Sequence, residues 1–504
     1  MLLTTLLLAS PLWLLGCAGV MPAAHVSAPT ASQWYSPLPA SSPSAKTSAS
    51  PANLTQLPHQ GSLTELNQWW ASLGDPLLVE LIFSAQSVSP TITAASSRLQ
   101  QARSAGVAAG AALLPNVSAA ANASRGVSAL NIPLATSAQA GLQSSWELDL
   151  WGGNRAASDA ALARLGGSQA LWHEARVSVA AEVANTYVSL RNCEQLLALA
   201  REDATSRGES SRLTSLTAEA GFTAPANAAL ARASAAQGQS NLSLQRTQCD
   251  VQVKALVALT GMEEPVLRQK MAVVSVINAD TAIKSAANSE ITPLLPAVPG
   301  VPAQLLTQRP DVFAAEREVA AASGDVGSAQ AARYPRLSLS GSIAAASLKT
   351  GGLSTNGTTW AIGPLAITLP LFDGGQRAAA VDVAHARYDD AVATYGAKVR
   401  NAVREVEEAL LNLQSTAERS EDAKIATDGY STAFNAAEAR YKSGLGSLAE
   451  LEDTRRTALV AKTALLNLQR ERSAAWIALY RAVGGGWERT PDEANLLTTV
   501  KLAK

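Results

Sequence analysis

The chain has 504 residues, a formal net charge of −1 and only 16 % charged side chains. That balance carries no basic footprint and excludes a nucleic-acid partner as the first reading. Aromatic residues are few, at 5 %, and alanine is abundant, which suits closely spaced helices more than a large globular core.

Residues 1–16 hold an apolar run, Leu2, Leu3, Leu6, Leu7, Leu8 and Ala9, then Leu12 to Leu15. It is too short and too terminal for a spanning helix and reads as an export signal. It ends in Leu14-Leu15-Gly16-Cys17, which resembles a bacterial lipobox with Cys17 as the lipidated residue, although no Lys or Arg precedes the run. Ala18 rather than Asp at the next position implies, by that resemblance, delivery to the outer membrane. Residues 17–62 are rich in Pro, Ser and Ala and read as a lipid anchor followed by a flexible tether. Order is expected from about Leu63. Asp75 caps a helix with Pro76 in its first turn, and the helix runs to about Leu114, where Pro115 stops it.

Four segments then alternate with a period of two: Val117–Ser124, Leu142–Leu150, Leu337–Ile343 and Leu365–Phe372. One apolar and one polar face per strand fits a sheet with a core behind it, or a barrel with lipid outside and water inside. The outer-membrane address favours the barrel. The strands form two hairpins, with loops at about residues 125–137 and 347–358. Four strands cannot close a membrane barrel, and open edges are not tolerated in lipid. Several chains must share one barrel, and three copies would supply twelve strands.

From Gln376 to Ser443 there is no proline, and Val399, Val403, Val406, Leu410 and Leu413 recur at helical spacing. Such a helix is about 100 Å long and needs equally long neighbours. It bends at Gly444-Leu445-Gly446 and returns through Leu448, Leu451, Leu459, Leu468 and Leu479. The same pattern occurs earlier: a helix to about Ala220, a bend at Gly221-Phe222, and a return to Leu259. Pro115 and Pro335, Gly152 and Gly374, Arg155 and Arg377, and Gly221 and Gly444 pair at an offset of about 222 residues, the mark of a duplication. The repeats are expected over 63–261 and 302–483, with a linker or belt over 262–301 and a short tail over 484–504. The fold class is mainly α with a membrane β part.

Cys193 and Cys249 lie at equal distances from Gly221. In an antiparallel hairpin turning there they face each other, about 42 Å from the tip. In an oxidising periplasm a disulfide is expected, the other outcome being two buried free thiols. His25, His59, His173 and His385 make no metal-ligand spacing. Gly351-Gly352 and Asn356-Gly357 sit between strands, where a phosphate loop is not built. No catalytic residue, metal or cofactor is expected.

Leu305-Leu306-Thr307-Gln308-Arg309-Pro310-Asp311-Val312-Phe313-Ala314-Ala315-Glu316 resembles the LL-x-x-RPD signature of outer-membrane efflux lipoproteins. Gly327-Ser328-Ala329-Gln330-Ala331-Ala332-Arg333-Tyr334-Pro335, Leu371-Phe372-Asp373-Gly374-Gly375 and Arg440-Tyr441-Lys442-Ser443-Gly444 are similar to further marks of the same family, the TolC/NodT-type outer-membrane factors of tripartite efflux pumps. The family's V-G-P-[DE]-Y segment after the lipid cysteine is absent, leaving Val20-Met21-Pro22. The resemblance implies a homotrimer with a twelve-stranded β-barrel continuing into a twelve-helix periplasmic α-barrel. It implies passive conduction of small molecules, a periplasmic adaptor and an inner-membrane RND-type pump as partners, and outer-membrane lipid around the barrel. It places Glu450 and Asp453 at a periplasmic gate, where three copies bring six carboxylates together. Arg440, Arg455 and Arg456 lie near in sequence and, read from the residues rather than the resemblance, are expected to pair with these acids and hold a closed state. It assigns Gly221, Phe222, Gly444 and Leu445 to adaptor docking. From the residues alone, the favoured reading of Glu450 and Asp453 is solvated first-turn acids stabilised by the helix dipole, and the glycines end helices whether or not they also dock a partner. A type I secretion duct shares this fold, and a non-channel periplasmic coiled-coil or adaptor protein is the reading from another class.

Overall fold

The structure, a computed structural model, describes residues 21–28, 34–36, 70–71, 75–127, 134–272 and 309–487. Cys17, most of the 17–62 stretch, residues 273–301 of the linker, and Leu305 to Gln308 lie outside them. The chain divides into two compact units. The first contains the described residues within 1–29, 96–171 and 311–398, and the second the remainder.

Two helices stand where one was expected. Helix α1, Pro76–Val88, is capped by the Asp75 carboxylate, which accepts from the Leu77 and Leu78 N–H groups. Helix α2 is Pro90–Ala111, and the two meet at 50°. Ser89 between them is extended, with φ −62° and ψ 123°. Pro90 has no N–H to continue the ladder and drives the residue before it out of the helical region. The apolar period runs on across this break, which hid it. Among the described residues no single helix is long and apolar enough to cross a membrane.

The strands β1 (Asn116–Gly126), β2 (Ala135–Leu148), β3 (Arg336–Thr350) and β4 (Leu353–Thr368) form one antiparallel sheet in that order. They reach further than their alternation suggested. β3 and β4 are joined by Gly351 and Gly352 alone, both with positive φ, so most of the expected 347–358 loop is strand. Ser, Thr, Asn and Gly occupy both faces there, so hydropathy fades while the backbone ladder continues. β4 stops at Thr368 instead of Phe372, because Pro370 cannot donate to a ladder.

Residues paired across the ladder share a face. Ala119, Leu142, Ile343 and Trp360 form one row, and Val117, Ser144, Gly341 and Ile362 the next. The opposite face carries Ser118, Gln143 and Ser342 in one row, and Asn122 and Gln139 in another. The apolar face is exposed: Trp360 is 72 % and Ile362 83 % accessible. At the base of the sheet Trp151 stacks on Tyr334 and donates to the Pro335 carbonyl at 2.8 Å.

Below each hairpin an aspartate starts a long helix. Asp149 accepts from the Asn154 and Arg155 N–H groups at the head of α3 (Gly153–Glu219). Asp373 accepts from Gly375 and Arg377 at the head of α6 (Gln376–Lys442). Further helices are α4 (Pro225–Thr260), α5 (Pro310–Ala331) and α7 (Leu448–Ala482), and residues 264–272, at the start of the stretch expected as a linker, are also helical. α3 and α6 have 67 residues each, α2 and α5 have 22 each, and α4 and α7 have 36 and 35, so from α2 and from α5 onward the two halves match element for element.

In the first unit Val319, Ala322 and Ala391 are buried with Val26, Tyr388 and Tyr395 against them. The second unit buries Trp70, Leu81, Ile82, Val183, Leu190, Leu256 and Tyr480 in one cluster. Cys193 and Cys249 lie in this cluster and are joined by a disulfide with Cα atoms 5.5 Å apart.

Part of the stretch read as a flexible tether is held on the helices. The Pro22 carbonyl accepts from Ser323 Oγ at 2.6 Å and the Ala23 carbonyl from Tyr388 at 2.8 Å. Met21 sits against Gly327 so closely that a Cβ there would lie 2.2 Å from its sulfur. Further on, Tyr35 and Ser36 donate their N–H groups to the two Glu407 oxygens at 2.8 Å, and Trp34 is buried beside Val406 and Leu410. Composition suggested a loose tether because polar and small residues dominate; the anchors are backbone carbonyls and N–H groups, which composition does not register.

Candidate gate and docking surfaces

The two bends, both in the second unit, have one geometry. α3 ends with Gly221 at φ +79°, the Gly221 N–H on the Ala218 carbonyl and the Phe222 N–H on the Thr217 carbonyl. α6 ends with Gly444 at φ +78°, its N–H on Tyr441 and the Leu445 N–H on Arg440. This paired 6→1 and 5→2 closure needs a left-handed residue at the glycine position. In both cases the next residue is a large apolar side chain facing solvent, Phe222 at 86 % and Leu445 at 83 % accessible.

Four residues beyond the second bend, α7 begins. Ser447 Oγ accepts from the Glu450 N–H at 3.1 Å, an N-cap with Glu three residues on. Glu450 pairs with Arg440 of α6, and Asp453 with Arg456 of its own helix. The Asp453 carboxylate remains largely exposed, at 65 %.

Arg455 does not pair with either of these acids. It is turned inward, its side chain 3 % exposed, onto Glu452 and the hydroxyls of Ser206 and Ser210. Burial pushes its guanidinium downward, opposed chiefly by the Glu452 charge. Glu452 also accepts from Arg207 at 2.8 Å and from Ser234 at 2.8 Å, and Arg207 reaches back to Asp203 at 2.9 Å. The Thr214 and Tyr441 hydroxyls meet at 2.5 Å. A buried polar network thus ties α3 and α4 to α6 and α7 just short of the bends. Sequence reasoning passed over Glu452, Arg207 and Asp203. Only the i, i+4 spacing of Asp203 and Arg207 was visible, since Arg207 and Glu452 are 245 residues apart. Among the described residues no cluster of His, Cys, Asp and Glu could hold a metal.

A sheet with one apolar and one polar face, two unpaired edges and two long helical hairpins defines a class: one subunit of an outer-membrane channel with a helical extension. The chain belongs to the outer membrane efflux protein family, whose model matches residues 81–262 and 301–485. It is 32 % identical over 357 residues to the outer membrane protein OprJ of Pseudomonas aeruginosa, covering 70 % of this chain and 71 % of that one. It is 31 % identical over 350 residues to the solvent efflux pump outer membrane protein SrpC of Pseudomonas putida, covering 69 % and 71 %. Its fold superposes on the outer-membrane channel OprN with a TM-score of 0.73 at 25 % identity, covering 94 % of this chain and all of that one. The TolC-like fold, the outer-membrane location and the membership of a family of channels rather than enzymes follow.

Proposed function

We propose that three copies of this chain form the exit duct of a tripartite efflux pump, passing small organic molecules from the periplasm across the outer membrane. The observation that carries this is the four-stranded sheet with an apolar and a polar face. Alone it has open edges that lipid does not tolerate; three copies close a twelve-stranded wall with polar side chains inside. The substrate class is that of its relative SrpC, a solvent efflux pump component. Energy and selection belong to an inner-membrane RND-type pump, joined through a periplasmic adaptor that docks on Phe222 and Leu445.

In the trimer Glu450 and Asp453 supply six carboxylates at the periplasmic mouth, a ring that favours cations. Their pairs with Arg440 and Arg456 support a closed resting state. Acylation of Cys17 fits the seat of Met21 on Gly327: four residues reach at most about 14 Å, and Gly327 is nine residues from the first strand residue of β3, Arg336.

Single-channel conductance in planar bilayers tests this reading. Wild type is expected to show a small, cation-selective conductance that rises in Glu450→Ala/Asp453→Ala. An unchanged conductance removes the gate from these acids, and folded trimers that do not conduct at all overturn the duct.

A further inference from the structure

The charges of the sheet are few and unevenly placed. The four strands contain Arg125, Glu147, Arg336 and Lys349 as their only charged residues. Glu147 pairs with Ser338 and Arg336 with Thr368, both at the base, away from the hairpin turns. Arg125 and Lys349 lie at the other end. Arg125 pairs with Thr136, Thr136 with Lys349, and Lys349 with Ser354, so two cations and two hydroxyls form one row across all four strands. The row shares its face with Ala119, Leu142, Ile343 and Trp360, the apolar one. Both cations are exposed, and among the described residues neither side chain makes an ion pair or hydrogen bond.

The height of this row follows from strand geometry. Lys349 is twelve residues along β3 from Leu337, the lowest apolar residue of that face. At about 3.4 Å per residue this is roughly 40 Å along the strand. A tilt of about 40° makes it roughly 30 Å along the membrane normal, against an apolar band about 25 Å tall. The row therefore falls a few ångströms beyond the hydrocarbon, among the headgroups at the hairpin end. Cations facing lipid at that depth, with no acid of the sheet near them, meet the anionic groups of the lipid headgroups as their nearest counterions. Arg offers a planar fork for a phosphate, and Lys and the hydroxyls offer further donors.

We infer that Arg125, Thr136, Lys349 and Ser354 form a phosphate-binding row that holds phosphorylated glycolipid of the outer leaflet against the barrel wall. This rests on the reading of the sheet as a lipid-facing barrel wall. In the trimer, six cations would circle the barrel.

The test is native mass spectrometry of the detergent-purified full chain with added bis-phosphorylated lipid A, the same lipid dephosphorylated, or millimolar inorganic phosphate. Wild type is expected to retain the phosphorylated lipid at least roughly tenfold better than the dephosphorylated one, as loss of charge-assisted hydrogen bonds predicts. Arg125→Gln/Lys349→Gln should lose that preference, and Arg125→Lys/Lys349→Arg should keep it. Equal retention of the two lipids, or an unchanged preference in the Gln variant, overturns the inference. Displacement of the lipid by inorganic phosphate would show a general anion site and overturn the lipid assignment. Conductance separates this from the duct itself: a Gln variant that still conducts yet drops the lipid supports the row, whereas a wild type that never conducts is a failure of the duct.

Discussion

Arg207 of α3 and Glu452 of α7 meet at 2.8 Å across two different hairpins. Glu452 also satisfies the buried Arg455, so one carboxylate serves two guanidinium groups. Removing one partner of a buried pair leaves an uncompensated charge, which costs about 3–5 kcal/mol when burial is complete. Glu452 is 19 % exposed, so Glu452→Gln is expected to cost about 2 kcal/mol. It should also raise channel conductance by loosening the hold of α7 on α3. Thermal denaturation followed by circular dichroism, and bilayer recordings, check the two effects.

Phe222 and Leu445 should behave in the opposite way. They face solvent on glycine-closed bends, so Phe222→Ala/Leu445→Ala is expected to change stability by no more than about 0.5 kcal/mol. Efflux in cells, measured as the minimum inhibitory concentration of an exported compound, should fall severalfold, with trimer yield unchanged.

Cys193 and Cys249 close a loop with a sequence separation of 56 residues. Cross-linking over that length restricts the unfolded chain, and the Cys193→Ser/Cys249→Ser variant is expected to lose roughly 2–4 kcal/mol. Reduction of the wild type should lower its melting temperature to the same value. Two free thiols in the unreduced wild type, counted by alkylation and mass spectrometry, would contradict the bond.

His173 is held neutral: burial, aided by the Arg176 charge, pushes it down to about 4. The unfolded chain takes up this proton near pH 6.5, while the folded chain refuses it until about pH 4. Stability should therefore fall as pH drops through that window, and be unaffected by this group above it. The expected loss is about 1–2 kcal/mol between pH 7 and pH 5. His173→Gln should flatten this part of the profile in melting experiments.

Local chemistry was legible from the chain alone. The proline-free run to Lys442, the glycines that close both bends, the Asp75 cap and the two-residue alternation of the strands each act within a few residues, so they can be read without the fold. The family motifs are equally local. The sequence also contained Pro90, but the apolar period continuing on both sides masked the break. Strand length escaped the reading for another reason: near Gly351 the ladder is held by backbone hydrogen bonds, which Ser, Thr and Asn support without any hydropathy signal.

Tertiary structure alone decided which charges meet. Arg455 and Arg456 are neighbours in the chain, yet helical rotation sends one into the buried network with Glu452 and leaves the other on the surface with Asp453. Likewise Met21 finds Gly327, and Arg125 shares a row with Lys349, only because packing and strand register bring distant segments together. A chain determines its local geometry through short-range sterics and hydrogen bonding; pairings across hundreds of residues depend on register and helix phase, which no local rule contains.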